Sequence, residues 1–127
     1  MREILFRGKR IDNGAWIEGD LLQNIDAIKI RELEKEKREI VKSYEVYPET
    51  VGEYTGLTDK HGRKIFEGEI VETNEKYCPK GYVAYREDMA RFVTINAWKE
   101  PIPMSDLTEY LLIGNIHDNP ELLEEKK

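Results

Sequence analysis

The stretch that decides the fold runs from residue 65 to residue 72 and reads IFEGEIVE. Its glycine separates two short runs of apolar and acidic residues, which is typical of a turn that leads into a strand. Further along, GYVAYR at 81–86 alternates in polarity, and RFVTI at 91–95 is rich in β-branched residues. Both patterns predict strands. The segment from Phe66 to Ile116 therefore has the strand and turn spacing of an SH3-like small barrel, which many small all-β domains share.

The two ends of the chain add smaller elements to this prediction. The Asp12-Asn13-Gly14 sequence predicts an N-terminal hairpin, because Asn-Gly suits a type I′ turn in which both central residues have positive φ. At the other end, Asn119 and Pro120 predict a short C-terminal helix with Asn119 as its N-cap. We predict a mainly β fold, with a β-rich α+β fold as the alternative. It comprises an SH3-like small barrel, an N-terminal hairpin region and a short C-terminal helix.

One charged stretch, residues 29–39, leaves its structure open. Its residues are strong helix formers, but Leu33 is its single apolar residue after position 30, so a helix here would have no wide buried face. A short solvated helix and a charged loop both fit the composition. We favour a strand, a charged excursion and a return strand that includes residues 40–41 and 44–47.

Length and charge limit the classes of protein. A chain of 127 residues predicts one domain over 1–127, with an N-terminal β region at 1–57 and a barrel-like region with the C-terminal helix at 58–127. The net charge is −6, from 20 basic and 26 acidic residues, which makes nucleic acid possible but not favoured as a partner. A single cysteine, Cys78, suits a reducing compartment. The N-terminus lacks the features of a signal peptide, and no apolar run is long enough to span a bilayer. We therefore expect a cytoplasmic protein with no membrane contact.

Three blocks of the sequence resemble a known family. The first combines ILFRGK at 4–9 with WIEGDLL at 16–22, and the last is LIGNIHDNPELL at 112–123. The long middle block at 44–71 reads YEVYPETVGEYTGLTDKHGRKIFEGEIV. Together they are similar to the YopX family of phages and prophages. The resemblance implies a β-rich fold, a bacterial host cytoplasm and an accessory role in a phage or mobile element. It brings no catalytic or binding residues with it, and 29–42 and 73–103 match least.

Several polar clusters in the sequence are candidates for catalytic or ligand sites. The turn at 58–64 gathers Asp59 with cations that suit a phosphate, yet a solvated hairpin explains it better. Glu67 and Glu69 suggest a carboxylate pair, and His117 and Asp118 an acid–base pair. Structural roles fit both pairs better, because neighbours such as His117 and Asp118 point in opposite directions on an extended chain. We predict no catalytic residue, no metal site and no cofactor, and hence no enzyme.

The candidate binding surface is a set of aromatic residues interleaved with cations. Such surfaces stack the bases of single-stranded nucleic acid or hold peptides, although core packing or self-association explains the rings better. The leading hypothesis is a non-enzymatic module that binds a protein partner, itself included as a homo-oligomer. The alternative is a protein that binds single-stranded or structured nucleic acid. The residues predicted for this surface are Tyr77, Lys80, Tyr82, Tyr85, Arg86, Arg91, Phe92 and Trp98.

Overall fold

A computed structural model describes residues 3–34, 39–76 and 78–124 of the chain. The chain divides into two compact units, unit 1 at 1–54 and unit 2 at 55–127. The mainly β class is confirmed, because the strands form antiparallel sheets and the described helices are single 3-10 turns. The predicted division after residue 57 falls inside a strand, β5, which begins in unit 1 and ends in unit 2.

Unit 1 is an antiparallel sheet in the order β4-β3-β2-β1-β5. Its core lies on one face, where Ile17, Ile30 and Val46 are buried. On the opposite face, the guanidinium of Arg7 stacks 4.1 Å from the ring centre of Trp16. The elements are β1 (Phe6–Lys9), β2 (Trp16–Gln23), β3 (Ile28–Glu34), β4 (Glu39–Glu45), a 3-10 turn (Pro48–Thr50) and β5 (Gly52–Thr58).

The charged stretch at 29–39 belongs to a hairpin, as the favoured interpretation predicted. Residues 29–34 lie in β3 and residue 39 begins β4, so the helical alternative is wrong for these residues. The charged excursion was predicted to include residues 31–34, which instead continue β3, and its positions 35–38 lie outside the described residues. Strand pairing with β2 overrides the helix propensity of this segment, because Ile30 is fully buried in the core.

The β1–β2 hairpin is present, but its turn is not of the predicted type I′. The N–H of Gly14 donates to the carbonyl of Arg10 at 3.0 Å, which closes a four-residue loop. Gly14 has a φ of 74°, whereas Asn13 has no positive φ. The Asn13 side chain instead accepts the Ala15 N–H at 2.9 Å, so Asn13 acts through its side chain and only the glycine adopts the left-handed conformation.

Unit 2 holds a five-stranded sheet in the order β10-β9-β8-β7-β11. Its core cluster consists of Ile65, Val71, Val83, Met104 and Tyr110. The Tyr110 hydroxyl donates to the Leu107 carbonyl at 2.9 Å, and burial raises the pKa of this phenol. The elements are the end of β5, β6 (Lys64–Phe66), β7 (Glu69–Thr73), β8 (Lys80–Arg86), β9 (Arg91–Ile95), β10 (Pro101–Pro103), β11 (Tyr110–Asn115) and 3-10 turns at Met104–Asp106 and Pro120–Leu123.

The predicted SH3-like barrel is not found, because no sheet of the described residues closes on itself. The five-stranded sheet ends at β10 on one side and at β11 on the other. Prolines 101 and 103 lack the N–H groups that further pairing would need. On the other side, the turn between β5 and β6 occupies the outer edge of β11, so the sheet has no free strand edge with which to close.

Three hydrogen bonds between the turn and β11 cover the outer edge of β11. Lys60 donates its N–H to the Tyr110 carbonyl at 2.9 Å. The carboxylate of Asp59 accepts the N–H of Leu112 at 3.1 Å, and the guanidinium of Arg63 donates to the Leu112 carbonyl at 3.1 Å. The turn therefore bonds the backbone of β11 much as a neighbouring strand would, and this protects the edge from pairing with other chains.

Asp59 organises this turn as well as the edge. Its side chain has no exposed surface and also accepts the N–H groups of His61 and Arg63, at 3.0 and 2.9 Å. The guanidinium of Arg63, which is 51% exposed, contacts the same carboxylate at 2.8 Å. Burial by itself raises the pKa of Asp59, but the hydrogen bonds from Arg63, Leu112 and His61 outweigh it and hold that pKa well below 3.8. The turn is thus built around a buried anion, and its charges do more than solvate a hairpin.

The predicted C-terminal helix is a single 3-10 turn, Pro120–Leu123. Pro120 occupies the first position as predicted, but the Asn119 side chain makes no capping bond. It accepts the N–H of Asn115 at 3.2 Å instead, which ties the turn back to the end of β11. Without its cap, the segment lacks the hydrogen bond that would satisfy a longer helix start.

We expect Asp59→Ala to lower the free energy of unfolding by about 2 to 3 kcal/mol, because it leaves the partly buried N–H groups of Arg63 and Leu112 without acceptors. Urea denaturation measures this loss. Asp12→Ala is the matched control, since Asp12 forms an exposed ion pair with Arg10 and accepts no distant backbone donor. Equal stability of the two variants would contradict the role given to Asp59.

The same carboxylate makes stability depend on pH. Because the folded pKa of Asp59 lies below 3.8, its contribution is present above that pH and is lost as the pH falls from 3.8 towards the folded value. Urea midpoints measured from neutral pH down to the acid limit of folding should fall more steeply below about pH 4 in the wild type than in Asp59→Asn. Parallel curves for the two proteins would show that Asp59 does not titrate in this way.

Candidate functional site

The predicted aromatic and basic residues lie on both faces of the β8–β9 strand pair. Along β8, Lys80, Tyr82 and Arg86 share one face and Tyr85 points to the other, because side chains alternate. Tyr85 is opposite Phe92 on β9, and their rings meet edge to face with centroids 5.2 Å apart. Phe92 packs against the core of unit 2. These two rings therefore belong to a different face from the three other residues of β8.

The two arginines lie at the far end of their face from Lys80. Arg86 and Arg91 are directly opposite each other on β8 and β9. Arg86 lies six positions after Lys80 along the strand, which is roughly 20 Å. Arg86 forms two hydrogen bonds of 2.9 Å with Asp88, which offset its repulsion from Arg91. The hydrogen bond from Arg86 lowers the pKa of Asp88.

Buried residues interrupt this face between its two ends. Ile70 is opposite Tyr82 and Val93 is opposite Ala84, and both aliphatic side chains are fully buried. The middle of the face is therefore core, and the seven predicted residues that the structure describes do not form one continuous surface. Tyr77 lies outside the described residues.

Two of the predicted residues, Lys80 and Trp98, do come together at a groove in unit 2. The groove has a volume of about 210 Å³. Its walls come from the start of β8, the loop between β9 and β10, and the C-terminal 3-10 turn. The lining residues are Cys78, Pro79, Lys80, Ala97, Trp98, Leu122, Leu123 and Glu124, which we call the Trp98 groove.

A buried asparagine fixes the loop that carries Trp98. The Oδ1 atom of Asn96 accepts the N–H of Trp98 at 3.0 Å and that of Glu100 at 3.1 Å. Lys99 has a φ of 61°, which is unfavourable for a residue with a side chain. The loop holds the indole of Trp98 54% exposed beside the groove. An aromatic anchor is thus presented to solvent in a defined position.

The acidic and histidine clusters have structural partners. Glu67 lies in the β6–β7 turn, in which Gly68 has a φ of 87°, so it does not share a strand face with Glu69. Glu69 is buried and accepts the N–H of Phe66 at 2.8 Å. Asn115 accepts the N–H groups of His117 and Asp118 at 3.0 and 2.9 Å, so these residues form a hydrogen-bonded turn. Glu69 and the His117–Asp118 turn therefore have structural roles, as the sequence analysis favoured.

Sequence reasoning missed most of the groove. The sequence predicts a C-terminal helix where Leu122 and Leu123 lie, and it gives Cys78 no binding role. Their approach to Trp98 depends on long-range packing that no local pattern reveals, although two adjacent leucines after a proline signal a partly buried turn. Within 3–34, 39–76 and 78–124, no group of three or more metal-ligating side chains is assembled. In the same residues, no helix is long and apolar enough to cross a membrane.

Comparison with known proteins relates the chain to a protein family and to a solved structure. The family model described as YopX protein matches residues 5–124. The crystal structure of protein EF1440 from Enterococcus faecalis has a TM-score of 0.60 and 28% sequence identity to this chain. That similarity covers 98% of this chain and 100% of the EF1440 chain. The search of curated proteins gives no significant match.

We expect Asn96→Ala to loosen the loop that presents Trp98. It removes the acceptor of two N–H groups, which costs about 1 to 2 kcal/mol of stability. Trp98 fluorescence should become more easily quenched by iodide in an Asn96→Ala, Trp16→Phe background. The control is Trp16→Phe alone, so that Trp98 is the reporter in both proteins. Unchanged quenching would show that Asn96 does not position the indole.

Proposed function

This chain belongs to the YopX family, and from that premise we propose that it is a phage or prophage accessory protein that binds a protein partner through the Trp98 groove without catalysing a reaction. The observation that carries the proposal is an indole 54% exposed beside an apolar groove. Tryptophan is enriched among the residues that dominate protein–protein binding energy.

The rigidity of the loop supports binding. An anchor that is already ordered loses little conformational entropy when a partner binds. Asn96 and the hydrogen bonds it accepts hold Trp98 in place before any partner arrives. The groove beside it supplies apolar walls from Leu122 and Leu123. These features fit a side chain of a protein partner better than a polar small molecule.

The engagement of the acidic residues supports a non-enzymatic role. Asp59 accepts four N–H donors, and Glu69 accepts a backbone N–H in the core. A general acid or base needs a pKa near the working pH, whereas that of Asp59 lies well below its usual range. These carboxylates serve the fold, and we propose no reaction for them.

The nucleic-acid alternative has weaker support from the same geometry. A stacking platform needs cations beside its aromatic rings to follow the phosphates. Arg86 and Arg91 lie roughly 20 Å along the strands from Lys80, and the groove itself includes the anion Glu124. The net charge of −6 adds repulsion. The single cysteine fits the cytoplasm of the bacterial host as the proposed location.

A random peptide library selected on the immobilised protein tests this function. We expect enriched peptides that carry large apolar residues and lose at least about 30-fold in affinity for Trp98→Ala, as for an interface hot spot. Tyr85→Ala is the matched control, because Tyr85 is also an exposed ring, at 46%, but lies on the other face of β8.

Either of two results would refute the proposal. One is a chain that stays monomeric and enriches no peptide, and the other is a set of peptides that bind Trp98→Ala as well as the wild type. Fluorescence anisotropy with a labelled single-stranded DNA at low salt tests the nucleic-acid alternative. Tight, salt-sensitive DNA binding that Trp98→Ala abolishes would favour nucleic acid instead.

A further inference from the structure

We propose that the Trp98 groove takes the Trp98 side chain of a second copy of this chain, so that two copies form a two-fold symmetric dimer. The inference rests on the proposed function, because it names the partner of the same groove. It is carried by the presence of an exposed anchor and an apolar cavity on one patch, by the charges that line that patch, and by the closed edges of the sheet of unit 2.

A two-fold contact requires a self-complementary patch, in which one surface supplies both the projection and the recess. Trp98 projects with 54% of its surface exposed. The recess of about 210 Å³ is bordered by Cys78, Leu122 and Leu123, which adjoin Trp98 on the same surface. A buried tryptophan contributes about 150 to 250 Å² of contact area. Reciprocal insertion therefore removes two indoles and two cavities from solvent at once.

The charges of the groove suit a second copy better than an unrelated peptide. Among the described residues that line the groove, Lys80 is the cation and Glu124 the anion, so this lining is close to neutral, whereas the whole chain has a net charge of −6. A two-fold axis that brings Lys80 of one copy to Glu124 of the other forms two equivalent ion pairs, so the charges of both copies are neutralised. A basic or an acidic partner segment would satisfy only one of them and repel the other.

The two edges of the five-stranded sheet of unit 2 are poorly suited to strand pairing with a second copy. The outer edge of β11 is bonded to the 59–63 turn, and β10 has proline at two of its three positions. At this sheet a second copy therefore meets side chains rather than an open backbone edge. A patch of this size fits a weak dimer that forms with rising concentration, at the lower end of specific interfaces.

Sedimentation equilibrium over a range of concentrations measures the dimer directly. We expect the wild-type chain to dimerise and Trp98→Ala to weaken the dimer at least about 30-fold. Tyr85→Ala, an exposed ring on the other face of β8, should dimerise like the wild type. Thermal unfolding of each variant confirms that it is folded. Wild-type chain that stays monomeric, or a dimer unaffected by Trp98→Ala, would overturn the inference.

A charge reversal tests the orientation and does not depend on the folding of one variant. Lys80→Glu alone and Glu124→Lys alone each place like charges across the two-fold axis, so each should dimerise at least about tenfold more weakly than the wild type. Mixing the two variants should restore association, because each then meets the opposite charge. Variants that dimerise like the wild type, or a mixture that stays monomeric, would contradict the proposed pairing.

The peptide selection distinguishes failure of this inference from failure of the proposed function. A monomeric chain whose selected peptides still depend on Trp98 would refute the dimer but support the proposed binding function. A monomeric chain with no Trp98-dependent peptide would refute both the dimer and the proposed binding function.

Discussion

The structure of unit 2 depends on one buried carboxylate. Asp59 accepts the N–H groups of its own turn and of Leu112 on β11, and it holds the Arg63 guanidinium that bonds the Leu112 carbonyl. Because an unpaired strand edge invites association with other chains, this arrangement decides where unit 2 can meet a partner. The outer edge of β11 is therefore not open to strand pairing, and a partner meets side-chain surfaces such as the Trp98 groove.

Local patterns predicted the class of the fold and several of its strands. The alternation at 81–86 and the β-branched run at 91–95 correspond to β8 and β9. The barrel was wrong for a reason that no local pattern contains, since closure depends on what bonds the outer edge of β11. Asp59 looked like a solvated turn residue because its partner Leu112 is 53 residues away in the chain. Likewise, Asn119 resembled a helix cap, yet its side chain bonds Asn115 at the end of β11.

The candidate site also depends on long-range packing that local sequence patterns do not contain. An aromatic and basic pattern predicted one surface, but strand alternation sends Tyr85 and Phe92 to the core face, and the buried Ile70 and Val93 separate Lys80 from the arginines. Lys80 and Trp98 remain together because a loop pinned by Asn96 brings the indole to the start of β8. The composition of the sequence indicated which residue types line the candidate site. The position of the groove follows only from the packing of the C-terminal 3-10 turn.

The most direct test follows the two indole N–H signals by NMR as the wild-type protein is concentrated. Trp16 is stacked beneath Arg7 in unit 1 and serves as an internal reference, whereas Trp98 is 54% exposed at the groove. If the Trp98 groove is the interaction surface and the second copy its occupant, the Trp98 signal shifts with concentration and the Trp16 signal does not. A Trp98 signal that stays fixed, or two signals that shift together, would contradict the account.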